Sequence, residues 1–459
     1  MIAREARETD FIDTLGELAT SISLERLPSS VVHEGRRALV DTIAVILGGM
    51  AEPQVRGLAE QMATASVAPC STILGSVYRA DAMWTALANA TAGVWHEFDP
   101  GNRFVGGHPA IYAVSGGLAV AEREGTSGSS LLEAIIAGYE VAARVGLGTT
   151  LRPGMDPHGS WPTVGAATTA GLLMGYTPVD LRQTINVSTS LNLGTSCIAA
   201  YEGATIRNVY AGFGAAMGVF AADLVGDGFT GERDGIGTVF GSIAGEFFDM
   251  ERALGDIGRR WEVTRGYHKL HACARCIHPA LDALTSVTKE QDIDPEEVKR
   301  IDVSTFVMAA TMNDVSPRNP LAARFSIPHA LASCLVLHET GVPAYGESAL
   351  QDPRVRDLAA KVTVRDDPEL DALTPAERPA RVRVHLHDGR TLEGTARLPL
   401  GEPDMQPLSN DALGEKFLKL ASIPLGPDTA QSVLDKLWQI EALPDVRELT
   451  ALCKGSEQH

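Results

Sequence analysis

The chain has 459 residues, 44% of them hydrophobic, which is enough for a large core and predicts two domains. Its 58 acidic and 39 basic residues give a formal net charge of −19, which argues against nucleic acid or an anionic membrane surface as a partner. A small anionic substrate remains compatible with this charge, because a few arginines in a pocket outweigh a distant, salt-screened background.

The first ten residues carry charges of both signs and lack the apolar core of a secretory signal. The most apolar stretches, such as residues 42–50, are shorter than the roughly 20 residues that span a bilayer, or glycine interrupts them. The six cysteines are scattered through an acidic chain, which favours reduced thiols over a disulfide framework. We therefore expect a cytoplasmic protein that spans no membrane.

From residue 10 to about residue 265 the sequence predicts successive helices rich in Ala, Leu and Gly, separated by Pro and Gly. The clearest of them lie at residues 29–47, 130–145, 164–174 and 208–224. Because small residues at facing positions let helices approach closely, this part of the chain predicts a compact helical bundle.

A polar stretch at residues 95–109 interrupts this pattern. It places Asp99, Arg103 and His108, together with three glycines, between two small-residue helical segments. Polar groups on a connection held by buried helices are typical of a functional site. Asp, Asn and Gly are equally common in capped or solvated loops, so the stretch alone leaves both interpretations open.

A second polar segment, residues 152–163, precedes the predicted helix at 164–174. His158 lies near the start of that helix, where backbone N–H groups and the positive end of the helix dipole disfavour an imidazolium. This position favours a neutral, basic His158. The alternative is a histidine in a capping turn.

In a third segment, Arg207 and Tyr210 are spaced i, i+3 and share one face of a predicted helix. The Arg207 guanidinium can bind a carboxylate through two parallel hydrogen bonds. Pairing with a structural carboxylate, or exposure to solvent, is the alternative.

A fourth segment, residues 267–279, contains a C-x-x-C pair flanked by histidines, so zinc and redox chemistry have to be considered. A second C-x-x-C or a distant ligand pair is missing from the sequence. We therefore predict anion binding and proton transfer by Lys269, Arg275 and His278. A solvated basic turn is the alternative.

After residue 297 the sequence predicts strands, at residues 298–307 and in a β-hairpin over residues 381–393 with Asp388-Gly389 at its turn. An apolar helix at residues 328–337 and a proline- and acid-rich connection lie between them, and helical patterning returns after residue 403. The prediction is a mainly α fold. A large all-helical domain, residues 1–265 and 404–459, carries an inserted smaller α+β domain, residues 266–403.

The sequence contains no Walker-type phosphate loop, no G-x-G-x-x-G between a strand and a helix, no G-x-S-x-G and no H-E-x-x-H. It therefore predicts no nucleotide, flavin or metal cofactor.

Taken in order, short motifs along nearly the whole chain resemble the MmgE/PrpD family. This family contains 2-methylcitrate dehydratases, cis-aconitate decarboxylases and an iminodisuccinate epimerase. The motifs lie at residues 96–99, 107–109, 158–167, 207–212, 228–231, 269–278, 323–329, 399–403, 407–409 and 416–417.

The resemblance implies a large helical domain and a lid-like α+β domain, usually in a homodimer, with a cofactor-free site between the domains. By position, Asp99, His108 and His158 match the acid-base and substrate-contacting residues of the family. Lys269 and His278 match its basic motif on the lid side.

Two departures from the family pattern concern the substrate. Where dehydratases and decarboxylases of the family carry a Lys and a His, this chain has Arg207 and Tyr210. Where they often carry a Tyr, it has His329. We include all three side chains among the candidate substrate contacts.

The resulting hypothesis is a cofactor-independent lyase, specifically a hydro-lyase, that acts on a small di- or tricarboxylate. One of His108 and His158 removes a proton α to a carboxylate, and the other protonates the leaving hydroxyl. Four side chains are candidates to hold carboxylates and offset the charge of an enolate-like transition state: Arg103, Arg207, Lys269 and Arg275.

The same residues leave other outcomes open. Two bases on opposite faces of one carbon would make an epimerase, and loss of carbon dioxide would make a decarboxylase. A non-catalytic carboxylate-binding protein is the alternative of a different class.

Overall fold

The computed structural model describes residues 10–290, 293–403 and 405–456. Its longer helices are α1 (Phe11–Ser21), α2 (Ser29–Gly49), α3 (Pro53–Ala65), α4 (Ala82–Val94), α5 (Pro109–Glu124), α6 (Gly128–Gly148), α7 (Thr163–Leu173), α8 (Pro178–Thr189), α9 (Ile206–Gly226), α10 (His278–Glu290), α11 (Ile327–Leu337), α12 (Asn410–Leu425) and α13 (Pro427–Trp438). Short helices lie at Ile198–Tyr201, Gly235–Thr238, Met250–Leu254, Val307–Ala310, Pro320–Ala323, Glu347–Gln351, Pro353–Ala359, Pro368–Asp371 and Arg447–Leu452. The protein is mainly α, as predicted, and the four clearest predicted helices are present with similar bounds.

The strands are β1 (Ser71–Thr72), β2 (Arg79–Ala80), β3 (Gly101–Asn102), β4 (Thr149–Leu151), β5 (Gly245–Phe248), β6 (Gly266–Tyr267), β7 (Val298–Thr305), β8 (Val362–Asp366), β9 (Ala380–Leu386) and β10 (Thr391–Ala396). The last four form one sheet in the order β10-β9-β7-β8. The predicted strand and hairpin are confirmed as β7, β9 and β10. Strand β8 was not predicted; it is short and pairs parallel with β7.

Helix α10 covers the hairpin of this sheet. Gly394 on β10 permits the close approach, because a Cβ there would overlap the carbonyl of Ala283 on α10. Alternate residues of β9, such as Val382 and Val384, are buried while their neighbours face outward. The sheet therefore has one apolar face, and α10 packs against it.

Helix α9 corrects one expectation from the sequence. It is a 21-residue helix with a mean hydropathy of 1.5, long and apolar enough to cross a membrane by length and composition. Its apolar length was not recognised in the sequence because glycines interrupt its apolar run. In the structure these glycines lie within one continuous helix. Half of this stretch is buried within the fold, where α9 packs against α4, α5, α7 and α8.

The carboxyl-terminal helices return to the amino-terminal ones, since α12 packs along α2. This contact brings the two ends of the chain into one helical core. The boundaries at residues 266 and 403, and the action of the enclosed segment as a lid, stay predictions.

Candidate active site

The polar connection between α4 and α5 is held close to its neighbours by glycines. Gly101 on β3 lies against the phenol of Tyr267 on β6, and Gly107 leaves the space that the indole of Trp161 fills. Glu97, with a φ of 51°, has left-handed backbone that is uncommon for a residue other than glycine. The chain therefore turns sharply after α4, and residues 96–102 of the connection are buried.

His108 is the residue before α5, and its ring lies beside Asp99. Nδ1 is 2.7 Å from Oδ2 of Asp99 and 3.2 Å from the carbonyl oxygen of Pro100. Because both neighbours are acceptors, we assign the proton of the neutral ring to Nδ1, which leaves Nε2 as the basic nitrogen. Only the Pro100 contact has the geometry of a hydrogen bond, so both oxygens of the buried Asp99 carboxylate remain able to accept hydrogen bonds.

His158 lies in the connection between β4 and α7. Its backbone N–H donates to Oδ1 of Asp156 at 2.9 Å, and the hydroxyl of Thr195 donates to the carbonyl oxygens of both residues. The centroid of its ring is 5.0 Å from that of His108. Tyr112 on α5 places its hydroxyl 3.0 Å from Nδ1 of His158.

The ring of His158 is neutral at neutral pH. Burial lowers its pKa well below the ordinary value, and the positive charge of Arg207 lowers it further. A neutral His158 was expected from the sequence, but for a different reason, the start of a helix; in the structure burial is the first cause.

Glu97 lies between two buried cations. Nη1 of Arg207 is 2.5 Å from its Oε2, and Nζ of Lys269 is 3.3 Å from its Oε1 and 2.8 Å from its carbonyl oxygen. Burial alone would raise the pKa of the Glu97 carboxyl, but the two cations hold it well below its usual range. Asp99 lies 3.9 Å from Lys269, and Asp156 lies 3.7 Å from Arg207. We call these five residues the ion cluster.

Several buried polar atoms in and beside the ion cluster lack a hydrogen-bond partner in the described part of the chain. They are both carboxylate oxygens of Asp99, Nε2 of His158, Nε of Arg207 and the side-chain amide of Asn208. Roughly 90% or more of buried polar groups in proteins are hydrogen-bonded. Such a concentration of unsatisfied atoms marks the place where water or a polar ligand supplies the missing partners.

Lys416 on α12 connects the ion cluster to the helical core. Its ammonium lies 2.7 Å from Oδ1 of Asp41 on α2 and donates to the carbonyl oxygens of Phe98 and Lys269. His268 contacts the second oxygen of Asp41 at 2.7 Å. Both site segments are thus tied to the same buried carboxylate.

The structure brings five of the predicted site residues together: Asp99, His108, His158, Arg207 and Lys269. Tyr210 follows Arg207 by one turn of α9 and is half-buried. Its backbone carbonyl lies close to Gly159, the residue after His158.

Arg275 makes contacts within the fold. It donates to the carbonyl oxygen of Leu400 at 2.8 Å and to Oε1 of Glu402 at 3.0 Å. Arg103 lies 3.6 Å from the other carboxylate oxygen of Glu402. The predicted carboxylate-binding arginines at these two positions therefore share a protein carboxylate that is fully buried.

The rings of His278 and His329 are hydrogen-bonded within the fold. Nδ1 of His278 accepts from Arg275 at 3.1 Å, and its Nε2 donates to the carbonyl oxygen of Cys273 at 3.3 Å. Nε2 of His329 donates to the carbonyl oxygen of Ala344 at 2.9 Å. Burial lowers the pKa of both rings, which suits neutral, structural partners of these carbonyls.

The pKa values of the two thiols in the C-x-x-C pair are raised, whereas a metal-binding or redox-active cysteine has a lowered pKa. Burial raises the pKa of Cys273 to about 12 and also raises that of Cys276. All six cysteines of the chain are unpaired. In the described residues no group of three or more His, Cys, Asp or Glu side chains is arranged to hold a metal ion.

Sequence reasoning missed several residues that the structure places at the site. Tyr112 had a local signal, since it follows His108 by four residues and lies in the first turn of α5. Asp156 lies two residues before His158, where an aspartate commonly accepts from the backbone. Asp41 had no local signal. Lys416 lies in the last of the short motifs, but the two residues are far apart in the chain, so the sequence did not show their contact.

Comparison with known sequences assigns the chain. The MmgE/PrpD N-terminal domain matches residues 13–246, and the MmgE/PrpD C-terminal domain matches residues 271–440. The chain belongs to the MmgE/PrpD family. The resemblance found in the short motifs is thereby confirmed.

Curated relatives of this MmgE/PrpD protein include decarboxylases. It is 24% identical to a cis-aconitate decarboxylase-like protein of Aspergillus oryzae over 95% of each chain. It is 23% identical to cis-aconitate decarboxylase of Aspergillus terreus, over 95% of this chain and 94% of the relative. Human cis-aconitate decarboxylase is 25% identical over 72% of this chain and 70% of its own. The comparisons support a lyase as the class of enzyme.

Proposed function

We propose that this MmgE/PrpD protein is a cofactor-independent lyase that eliminates water from a small di- or tricarboxylate. The observation that carries the proposal is the stacking of His108 on His158 beside the ion cluster, where buried polar atoms lack partners. Such an arrangement supports proton transfer at a carbon next to a bound carboxylate.

His108 is the proton carrier in this proposal. Its Nε2 takes the proton from the carbon α to a carboxylate, and Asp99 compensates the charge of the imidazolium that forms. The electron pair of the C–H bond becomes the new C=C bond as the C–O bond breaks. The imidazolium then returns its proton to the leaving hydroxyl, which departs as water and restores the neutral ring.

Lys269 and Arg207 supply the positive charge. Both are buried, and Arg207 keeps an Nε without a hydrogen-bond partner in the described residues. A substrate carboxylate bound against them has its developing negative charge stabilised by two buried cations.

Decarboxylation is the second candidate, and the named relatives of similar length favour it. In that case His108 begins the turnover as an imidazolium, protonated from water. The C–COO⁻ bond breaks, carbon dioxide leaves, the electron pair left behind takes the proton from His108, and the neutral ring then recovers a proton from water. The roles of the cations are the same in both reactions.

Proton NMR in deuterated water separates these reactions, with citrate, 2-methylcitrate, cis-aconitate and iminodisuccinate as substrates. A hydro-lyase forms a new alkene signal from citrate or 2-methylcitrate without release of carbon dioxide. Conversion of cis-aconitate with release of carbon dioxide would show that the enzyme is a decarboxylase and not a hydro-lyase. Deuterium in recovered iminodisuccinate without net elimination would indicate an epimerase.

A His108→Asn variant, checked for folding by its thermal unfolding midpoint, is the control and is expected to lose conversion. Normal turnover in this variant would overturn the role given to His108. Calorimetric binding of a tricarboxylate with no conversion across the four substrates would support a non-catalytic binding protein instead.

A further inference from the structure

The hydroxyl of Tyr112 contacts only two polar groups in the described part of the chain. It accepts a hydrogen bond from the backbone N–H of Gly159 at 2.9 Å, and it lies 3.0 Å from Nδ1 of His158. Tyr112 is fully buried. Burial also raises the pKa of the phenol well above its ordinary value, so the hydroxyl keeps its proton.

These two contacts determine which nitrogen of His158 carries a proton. The backbone N–H of Gly159 is a donor, so the proton of the Tyr112 hydroxyl has one acceptor available, Nδ1 of His158. If Nδ1 carried a proton instead, the hydroxyl proton would be buried without a partner. The neutral ring therefore carries its proton at Nε2, the atom that lacks a partner in the described residues.

We propose that Tyr112 is a positioning residue that holds His158 in the tautomer with its proton at Nε2. His158 is then a hydrogen-bond donor to the oxygen on which negative charge develops, and it is not a base. His108, whose Nδ1 faces two acceptors, remains the proton carrier. The assignment of the tautomer is independent of the reaction, whereas the donor role rests on the proposed function.

The fold makes room for this arrangement. A Cβ at Gly214 on α9 would lie 2.6 Å from the ring of Tyr112, so glycine is needed for the ring to reach its position. Gly159, with a φ of 78°, turns the chain so that its N–H reaches the hydroxyl while His158 lies beside it. Helix α9 and the connection before α7 thus both pack against Tyr112, the first at its ring and the second at its hydroxyl.

The test is a long-range ¹H–¹⁵N spectrum of the full-length protein labelled with ¹⁵N-histidine, because the ¹⁵N shift shows which ring nitrogen is protonated. His158, assigned with a His158→Gln variant, is expected to show a protonated Nε2 and an unprotonated Nδ1. In Tyr112→Phe the protonated fraction at Nδ1 is expected to rise.

The kinetics of Tyr112→Phe give a second readout. On the substrate found in the NMR assay, kcat of this variant should fall by roughly ten- to hundredfold with KM little changed, since a misdirected donor costs less than a deleted one.

Tyr176→Phe is the matched control, because its hydroxyl donates to the carbonyl oxygen of Ala222, far along α9. It should leave the His158 spectrum and kcat unchanged. If Tyr112→Phe does not fold, His158→Gln and His158→Ala replace it. The glutamine amide can still donate, so it should retain more activity than alanine.

A protonated Nδ1 in the unmodified protein would overturn the proposal, as would an unchanged spectrum in folded Tyr112→Phe. Equal loss in His158→Gln and His158→Ala would overturn the donor role. The expected tautomer without conversion of any substrate would refute the proposed function and leave the positioning role of Tyr112 intact.

Discussion

Nδ1 of His108 lies 2.7 Å from Oδ2 of Asp99, and that carboxylate is completely buried. The same nitrogen is hydrogen-bonded to the carbonyl oxygen of Pro100, which orients the imidazole at the amino-terminal end of α5. The contact with Asp99 places a negative charge where an imidazolium forms during proton transfer.

Replacement of Asp99 by Asn tests this contact. The amide keeps the size of the side chain but removes the charge, so kcat should fall by roughly 10²- to 10⁴-fold, as for other carboxylates that support a catalytic histidine. Steady-state kinetics on the identified substrate measure the effect, and the thermal unfolding midpoint shows whether the variant folds. A kcat within a factor of about two of the unmodified enzyme would contradict the role of Asp99.

Glu97→Gln removes the carboxylate that separates Arg207 from Lys269. Two buried cations then lose their nearest carboxylate and keep only the longer contacts to Asp99 and Asp156, so we expect the free energy of unfolding to fall by about 3–5 kcal/mol. Urea unfolding measures it. Glu246→Gln, at an exposed position on β5, is the control and should change the free energy of unfolding by less than about 0.5 kcal/mol. An equally small change in Glu97→Gln would show that the cations do not depend on Glu97.

The contact between Asp41 and Lys416 is testable by a double-mutant cycle. Lys416→Met and Asp41→Asn each leave a buried partner unsatisfied, so the double variant should lose less stability than the sum of the two, by about 0.5–3 kcal/mol. Urea unfolding of the four proteins gives this difference. Additive losses would mean that the pair does not interact. Lys416→Met should also reduce activity, since the carbonyls of Phe98 and Lys269 lose a common donor.

His96 predicts a dependence of stability on pH. Burial, reinforced by the charge of Arg324, lowers its pKa from 6.5 to about 3. Between these values the unfolded chain binds the proton more tightly, so the stabilising contribution is present above pH 6.5 and is lost as the pH falls toward 3. From pH 6.5 to 5 the free energy of unfolding should fall by about 2 kcal/mol from this group alone.

His96→Gln keeps an acceptor for Arg324 and a donor for the carbonyl of Gly48, but it does not titrate. The difference in unfolding free energy between the two proteins should therefore change by about 2 kcal/mol between pH 8 and pH 5, measured by urea unfolding. A constant difference would show that His96 is not kept neutral by the fold.

Much of the architecture was predictable from local patterns. The helical periodicity and the density of Ala and Gly predicted α2, α6, α7 and α9, and alternation predicted β7, β9 and β10. These patterns are local, because a helix face or a strand face repeats within a few residues. The short motifs also predicted the family, because their order along the chain can be read from the sequence alone.

Tertiary structure decided which polar residues meet. Asp99, His108, His158, Arg207 and Lys269 were predicted as candidates, but only packing placed Glu97 between Arg207 and Lys269. Sequence also suggested Arg275 and His278, whose hydrogen bonds the fold uses internally. The physical reason is that a charged side chain has the same local sequence signal whatever group it contacts, and only the folded structure shows which distant groups it meets.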